Sequence, residues 1–265
     1  MKSSSRRSLP FLLPSLLGIL GLYILPYIMS YYYSFTDIDG KFAGLANFRD
    51  VLGSQAFKMA LGNTSVFMLI CVPLNVIVSF FLANLLYHTR IVNKICLLLF
   101  MLPLVIPSGA TVAFWQNVIP GSVLQSDLAL FAIIVVFMFK NVGFNTVLLV
   151  AGLEFIPRTF YEVASIEGAG GWRIFHMVTI PFLSPTLFVA FLMSFVNSFK
   201  IFREIFLLFG NYPHKSIYML QHYMNNQFFA ANLQKLSAAS SVISVLVTVV
   251  IAAMFWGQKK FGERL

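Results

Sequence analysis

EVASIEGAGGWRIFHMVTIP, residues 162–181, lies between two long apolar runs. It carries Glu162, Glu167, Arg173 and His176, with glycines at 168, 170 and 171. A bilayer interior does not hold such a group, because a charge at the centre of a spanning helix costs about 2.5–3.5 kcal/mol even on insertion scales. Just ahead, Pro157 suits the first position of a helix, where its missing N–H would have had no partner. Phe160, Val163, Ala164 and Glu167 follow at helical spacing, and Gly168 is a good residue to end on. The segment 157–175 therefore reads as a short amphipathic helix on the membrane surface and a glycine bend, with re-entry at Pro181. Such a helix is a surface for something outside the membrane to read.

Composition agrees. The chain is 59% hydrophobic and 10% charged, with a mean hydropathy of +0.85, whereas a soluble domain carries about 25% charge. The formal charge of +9 does not point to nucleic acid, since no basic cluster is interleaved with aromatics. It reads as Lys and Arg flanking membrane spans. Cys71 and Cys96 both lie in apolar runs without metal-ligand spacing, as inert core thiols do.

Six apolar runs are long enough for the ~20 residues that cross a bilayer. They cover about 9–35, 60–87, 95–119, 127–153, 178–208 and 236–256. The first could be a signal peptide, but it exceeds a typical h-region and shows no clear small-x-small cleavage site. Pro10, Pro14 and Pro26 are expected to kink it. The expected fold is all-α: one polytopic transmembrane domain over 1–265, with six transmembrane helices and the 157–175 helix in the cytoplasm. Orientation comes from the positive-inside rule. With the N-terminus inside, that side holds Lys2, Arg6, Arg7, Arg90, Lys94, Arg158, Arg173, Lys259, Lys260 and Arg264. The other side holds Lys41, Arg49, Lys58, Lys215 and Lys235. Both termini are then cytoplasmic.

Glu162, Val163, Ala164, Gly168, Val178, Ile180 and Pro181 resemble the EAA motif of ABC-importer permeases. That motif is E-A-A, three residues, G, nine residues, then I-x-L-P, and the spacing here is the same. Val163 replaces Ala, Val178 replaces Ile and Ile180 replaces Leu. The surrounding pattern is similar to the carbohydrate-uptake branch (maltose and multiple-sugar type), with Glu167-Gly168-Ala169 where Asp-Gly-Ala is usual. The resemblance spans most of the chain and implies an ATPase that docks on this helix, with Tyr161, Glu162, Ala164, Ser165, Glu167, Gly168 and Ala169 as contact candidates. It also implies a second permease subunit, an extracytoplasmic solute-binding protein, a sugar or oligosaccharide substrate, and a bacterial or archaeal plasma membrane. FVNSFKIFREIF resembles the first of the two unlike permeases in such systems. FGNYP at 209–213 stands where relatives carry T-G-G-G-P, keeping the first glycine and the proline. The Asn47-Phe48 pair lies in an outer connection, 36–58, where relatives carry a similar element. The chain has no Walker A sequence G-x-x-x-x-G-K-[ST], so no cofactor is expected on it. ATP and Mg belong to the partner ATPase.

Polar residues inside the spans form a second constellation. Lys140, Asn141 and Asn145 lie near the middle of the fourth span, with Asn141 and Asn145 at i, i+4. Ser194, Asn197 and Ser198 share a face of the fifth, and Ile201 continues it. The resemblance places Asn141, Phe144, Ser194, Asn197 and Ser198 near sugar-contacting positions. Amides and hydroxyls suit sugar OH groups, and an aromatic face suits the C–H face of the ring. Equally, intramembrane Asn and Ser hydrogen-bond helices to each other. Lys140 needs a cavity or a partner. Glu154 is roughly 20 Å along the same helix and out of reach, which leaves Glu204, another span or a sister subunit. If Lys140 lines the path, it favours an acidic or phosphate-bearing solute. Arg203 and Glu204 are adjacent and so are expected on different sides of their helix.

An intramembrane enzyme needs a nucleophile–base pair or clustered acidic ligands. Ser108–Gly109 is similar to part of a serine-protease loop, but no histidine in a later span serves it. None of the four histidines has ligand spacing. An ion-coupled secondary transporter is the remaining alternative, with Lys140 or Glu204 coupling ions. It would commonly show internal repeats, and the two halves show no convincing self-similarity.

Overall fold

Proline placement decides where these helices run on and where they break. The computed structural model describes residues 5–89 and 94–262. Lys2, Arg90 and Arg264, used in the orientation count, lie outside the described residues. Contacts divide the chain into two compact units, residues 1–58 with 223–249 and residues 59–222 with 250–265.

In the first unit, α1 (Ser5–Ile19) continues through a π turn (Leu20–Ile24) into α2 (Leu25–Ser34). The Leu25 N–H reaches back to Leu20 O, and Pro26 sits in the first turn that follows. A wide turn accommodates a residue without an N–H at modest cost, which suits the local bulge just ahead of Pro26. α3 (Ala46–Gly53) holds the Asn47-Phe48 pair. Asn47 Nδ2 donates to the carbonyls of Ser34 and Thr36 at 3.0 and 2.9 Å, and Phe48 packs on Phe35. This pair therefore caps orphan carbonyls where α2 ends. The C-terminal stretch of the unit fastens back onto it through polar contacts. Tyr31 shares a hydrogen bond with Ser244 at 2.8 Å, Gln234 donates to Asp37 O, and Lys235 pairs with Asp50 at 3.2 Å.

The second unit is built on α4 (Gln55–Thr89), α5 (Lys94–Val105), α6 (Ser108–Val118), the short α7 (Gly121–Leu124) and α8 (Ala129–Glu154). The expected third span, 95–119, is not one helix. α5 and α6 meet at 89°. Ile106 precedes a proline and is disfavoured in helical conformation. Pro107 then takes φ −56°, ψ 143° and starts α6 without donating an N–H. Among the described residues, five helical stretches are long and apolar enough to cross a membrane, and the bent pair counted as one span makes a sixth.

α9 (Arg158–Ile166) and α10 (Gly171–Ile174) follow α8. A second π turn (Phe175–Thr179) then leads into α11 (Ile180–Lys200), and α12 (Phe202–Phe209) comes next. This π turn also stands directly before a proline, Pro181, with the Ile180 N–H bonded to Phe175 O. The helical stretch long and apolar enough to cross a membrane runs from Gly171 to Phe209, with Pro181 within it. A 3₁₀ turn (Lys215–Ile217), α13 (Leu220–Phe229) and α14 (Leu233–Gly262) complete the chain.

Glycine lets α8 approach its neighbours. A Cβ on Gly143 would lie 1.7 Å from Phe100 O of α5, and one on Gly152 would lie 2.8 Å from Leu183 and Thr186 side chains of α11. Small residues serve membrane helix packing in this way, since lipid tails provide no hydrophobic drive between helices. Two apolar clusters fill the remaining space. One gathers Phe67, Cys71, Trp115, Ile133, Phe137 and Ile205. The other gathers Ala83, Leu149, Leu153, Val178 and Leu183.

Candidate functional site

α8 turns Phe137, Lys140, Asn141 and Phe144 toward one cavity, the i, i+3, i+4, i+7 stripe of a helix. Met193, Asn197 and Lys200 of α11, Ile201 at the joint, and Arg203 and Glu204 of α12 continue the lining, with Leu104 and Ser108 closing it. Its volume, about 350 Å³, lies within the 300–1,000 Å³ usual for ligand sites. Five sequence candidates meet here: Lys140, Asn141, Phe144, Asn197 and Ile201. Four charged or hydroxyl residues join them that sequence reasoning left out of the path: Ser108, Lys200, Arg203 and Glu204. Arg203 and Glu204, expected on different sides, both line the cavity. Met193, Asn197, Lys200, Ile201 and Glu204 repeat at 4, 3, 1 and 3 residues, and Arg203 falls three after Lys200. A wide stripe takes in both neighbours.

Lys140 finds its partner across the cavity wall. Its ammonium donates to Glu204 Oε1, and the Ser108 hydroxyl donates to the same oxygen at 2.8 Å. The Glu204 side chain is 4% exposed and that of Lys140 13%. A buried pair holds only when further hydrogen bonds satisfy it, and Ser108 supplies one. The pair thus ties α8 to α12, and Ser108 adds the start of α6. Ser108 serves as a donor to a carboxylate, and no histidine lines the cavity with it.

Asn145, Ser194 and Ser198 lie outside this lining. Ser194 Oγ accepts from Asn145 Nδ2 at 2.6 Å and from Asn75 Nδ2 at 2.9 Å, and donates to Ala190 O at 2.8 Å. One hydroxyl thereby joins α4, α8 and α11. Ser198 donates within its own helix to Phe195 O. Asn75, near the middle of the second span, was the signal that could have revealed this node. Asn141 Nδ2 donates to Phe137 O at 2.8 Å, and Lys200 Nζ donates to Asn197 Oδ1 at 2.9 Å.

The second candidate site is α9. Its nine residues contain none that is buried, and Val163 and Ile166 are 55% and 85% exposed. Gly168, at φ +78°, ends the helix in a left-handed turn. The Ala169 N–H bonds to Ala164 O and the Gly168 N–H to Ser165 O, both at 3.0 Å, which is the Schellman pattern. Glu162, Ser165 and Glu167 are exposed, while Tyr161, Ala164 and Ala169 are half-buried. Sequence reasoning omitted Val163 and Ile166 from the contact surface, because apolar residues are ordinarily assigned to the packed face. On the inner side, Tyr161 shares a hydrogen bond with Thr179 at 3.3 Å. Phe160 packs on Phe182, with ring centroids 4.6 Å apart.

Farther along, Gly210 of FGNYP takes φ 71°, ψ −152°, a region open essentially to glycine alone. This explains why the first glycine of the run stays when the others do not. His222 is fully buried, accepting from the Met219 N–H at 3.2 Å, and burial pushes its pKa down to about 4.

The architecture is thus a polytopic helical chain with a polar cavity between its apolar helices and an exposed, capped surface helix. The chain belongs to the family of binding-protein-dependent transport system inner membrane components, whose pattern it matches over residues 75–265. It is therefore a transport subunit of the inner membrane, not an enzyme. It is 26% identical to a probable starch degradation products transport system permease of Thermoanaerobacterium thermosulfurigenes, over 92% of this chain and 90% of that one. It is 25% identical to the arabinooligosaccharides transport system permease of Bacillus subtilis, covering 94% and 87%. It is likewise 25% identical to the sn-glycerol-3-phosphate transport system permease of Pectobacterium atrosepticum, covering 97% and 94%. Its fold is that of a chain in the crystal structure of a bacterial ABC transporter involved in the import of the acidic polysaccharide alginate. The TM-score is 0.74 at 17% identity, over 97% of this chain and 94% of that chain.

Proposed function

We propose that the chain is one of two unlike permease subunits of an ATP-driven importer of sugars or oligosaccharides. In this reading α9 docks on an ATPase subunit, both termini are cytoplasmic, and a solute-binding protein delivers substrate from outside. ATP and Mg bind the ATPase. The observation that carries it is α9 with its cap residue: no residue of the helix buried, Glu162 and Glu167 without ion pairs among the described residues, and Val163 and Ile166 left bare. Exposed apolar residues beside charges suit a protein partner. Relatives named for starch products and arabinooligosaccharides support a saccharide as the solute.

The path of force follows from the contacts. When the ATPase closes, α9 moves as a capped unit, and the Tyr161–Thr179 and Phe160–Phe182 contacts pass that motion to the start of α11. The far end of α11 carries Asn197 and Lys200 into the cavity. Only a difference in closing energy between the two cavity states drives alternating access.

Pull-down of the tagged chain from native membranes, read by mass spectrometry, tests the assembly. An ATPase and a second permease in near-equal amounts are expected. A chain that purifies alone and stable would return the secondary-transporter reading. A finer test lies at Gly168, where an added Cβ meets nothing within 4 Å in this chain, and two substitutions of similar size separate backbone conformation from contact with the ATPase. Left-handed geometry costs a β-branched residue about 1–2 kcal/mol, a factor of roughly 5–30 in an equilibrium. Gly168→Val is expected to cut ATP-driven uptake by about tenfold, and Gly168→Asn, which tolerates that geometry, by much less. Equal uptake by both variants would mean that the cap does not matter.

A further inference from the structure

The cavity holds three cations and one anion, and the anion is already engaged. Glu204 Oε1 accepts from both Lys140 and Ser108, so that pair is electrically balanced. Lys200 and Arg203 remain. They stand three residues apart across the α11–α12 joint, both exposed, and neither forms an ion pair among the described residues. Lys200 uses one donor on Asn197 and keeps two. Charged groups at membrane depth that face a water-filled cavity mark the path of a solute, and a cleft of one sign with low-dielectric walls concentrates ligands of the other.

We propose that the cavity takes an anionic saccharide, one bearing a carboxylate or a phosphate, with Lys200 and Arg203 meeting its charge. This rests on the reading of the cavity as the solute path of a sugar importer. The guanidinium fork of Arg203 matches either anion bidentately, and Lys200 adds a compact charge beside it. Asn141 and Asn197 supply the amides that sugar hydroxyls need, and Phe144 supplies an aromatic face. A path for neutral sugars would need those three residues and neither cation.

The test is equilibrium binding to the detergent-purified assembly without its binding protein, using trigalacturonate, glucose 6-phosphate and maltotriose as probes. At least one anionic probe is expected to bind tenfold or more tightly than maltotriose. The two anionic arms separate a carboxylate site from a phosphate site. High salt should shrink the preference, since exposed charges are screened within about 10 Å at 0.1 M ionic strength. Lys200→Gln with Arg203→Gln should abolish the preference, and Lys200→Arg with Arg203→Lys should keep most of it. If the glutamine pair fails to assemble, Arg203→Gln alone is expected to lose at least half of the preference on a logarithmic scale. Maltotriose binding as tightly as both anions would overturn the proposal and leave sugar import standing, as would a preference that survives the glutamine pair. Binding of none of the three would overturn both.

Discussion

Gly143→Ala is expected to remove the chain from membranes as a stable protein. The added methyl would sit 1.7 Å from the carbonyl oxygen of Phe100 and 2.7 Å from its carbon. Both are backbone atoms of α5, so no side chain can swing aside, and α5 would have to shift as a body. Overpacking a core costs typically 1–3 kcal/mol where side chains can adjust, and the cost here lies at or beyond the top of that range. The damage would extend to the cavity, because Gly143 lies between Asn141 and Phe144 and helps set the rotation of α8. Gly62→Ala in α4 is the control, since nothing lies within 4 Å of its Cβ and alanine favours a helix by up to about 1 kcal/mol. Thermal unfolding in detergent compares the two. Wild-type stability of Gly143→Ala would mean that α5 and α8 do not pack as described.

Lys140→Met is the second large effect. It leaves Glu204, 4% exposed, with the Ser108 hydroxyl as its remaining donor among the described residues. Stranding a buried charge costs about 3–5 kcal/mol, whereas replacing both members of a pair with apolar residues is often neutral or stabilising. Adding Glu204→Leu to Lys140→Met should therefore recover most of the lost stability. A double-mutant cycle on unfolding reads the coupling directly. If the two losses simply add, the pair contributes no interaction energy and the tie from α8 to α12 is not an energetic one.

The spans, the surface helix and its glycine end were legible because they follow from local rules. Apolar length marks a span, and a left-handed cap needs glycine. Gly168 and α9 could be read that way from a few residues. The break at Pro107 was less legible. Pro103 and Pro107 sit in an apolar run long enough to cross, and hydropathy does not register backbone geometry. At the cavity, sequence offered the right helices but not the sorting of their polar residues. Lys140, Asn141 and Asn197 reach the cavity, while Asn145 and Ser194 meet Asn75 at a junction of three helices. Helical period alone does not distinguish a face toward water from a face toward another helix. Lys200 and Arg203 were not among the path residues expected from sequence, although the wide stripe that includes them begins at Met193.

The central claim is that motion of α9 drives saccharide import. Its most direct test is ATP-dependent accumulation of labelled saccharide in proteoliposomes holding the purified assembly and its binding protein. The wild-type chain is compared with Glu162→Ala plus Gly168→Asp. Wild type should accumulate solute only when ATP reaches the ATPases, and the double variant, though inserted and assembled, should not. Accumulation at the wild-type rate by the double variant, or uptake driven by an ion gradient without ATP, would contradict the account.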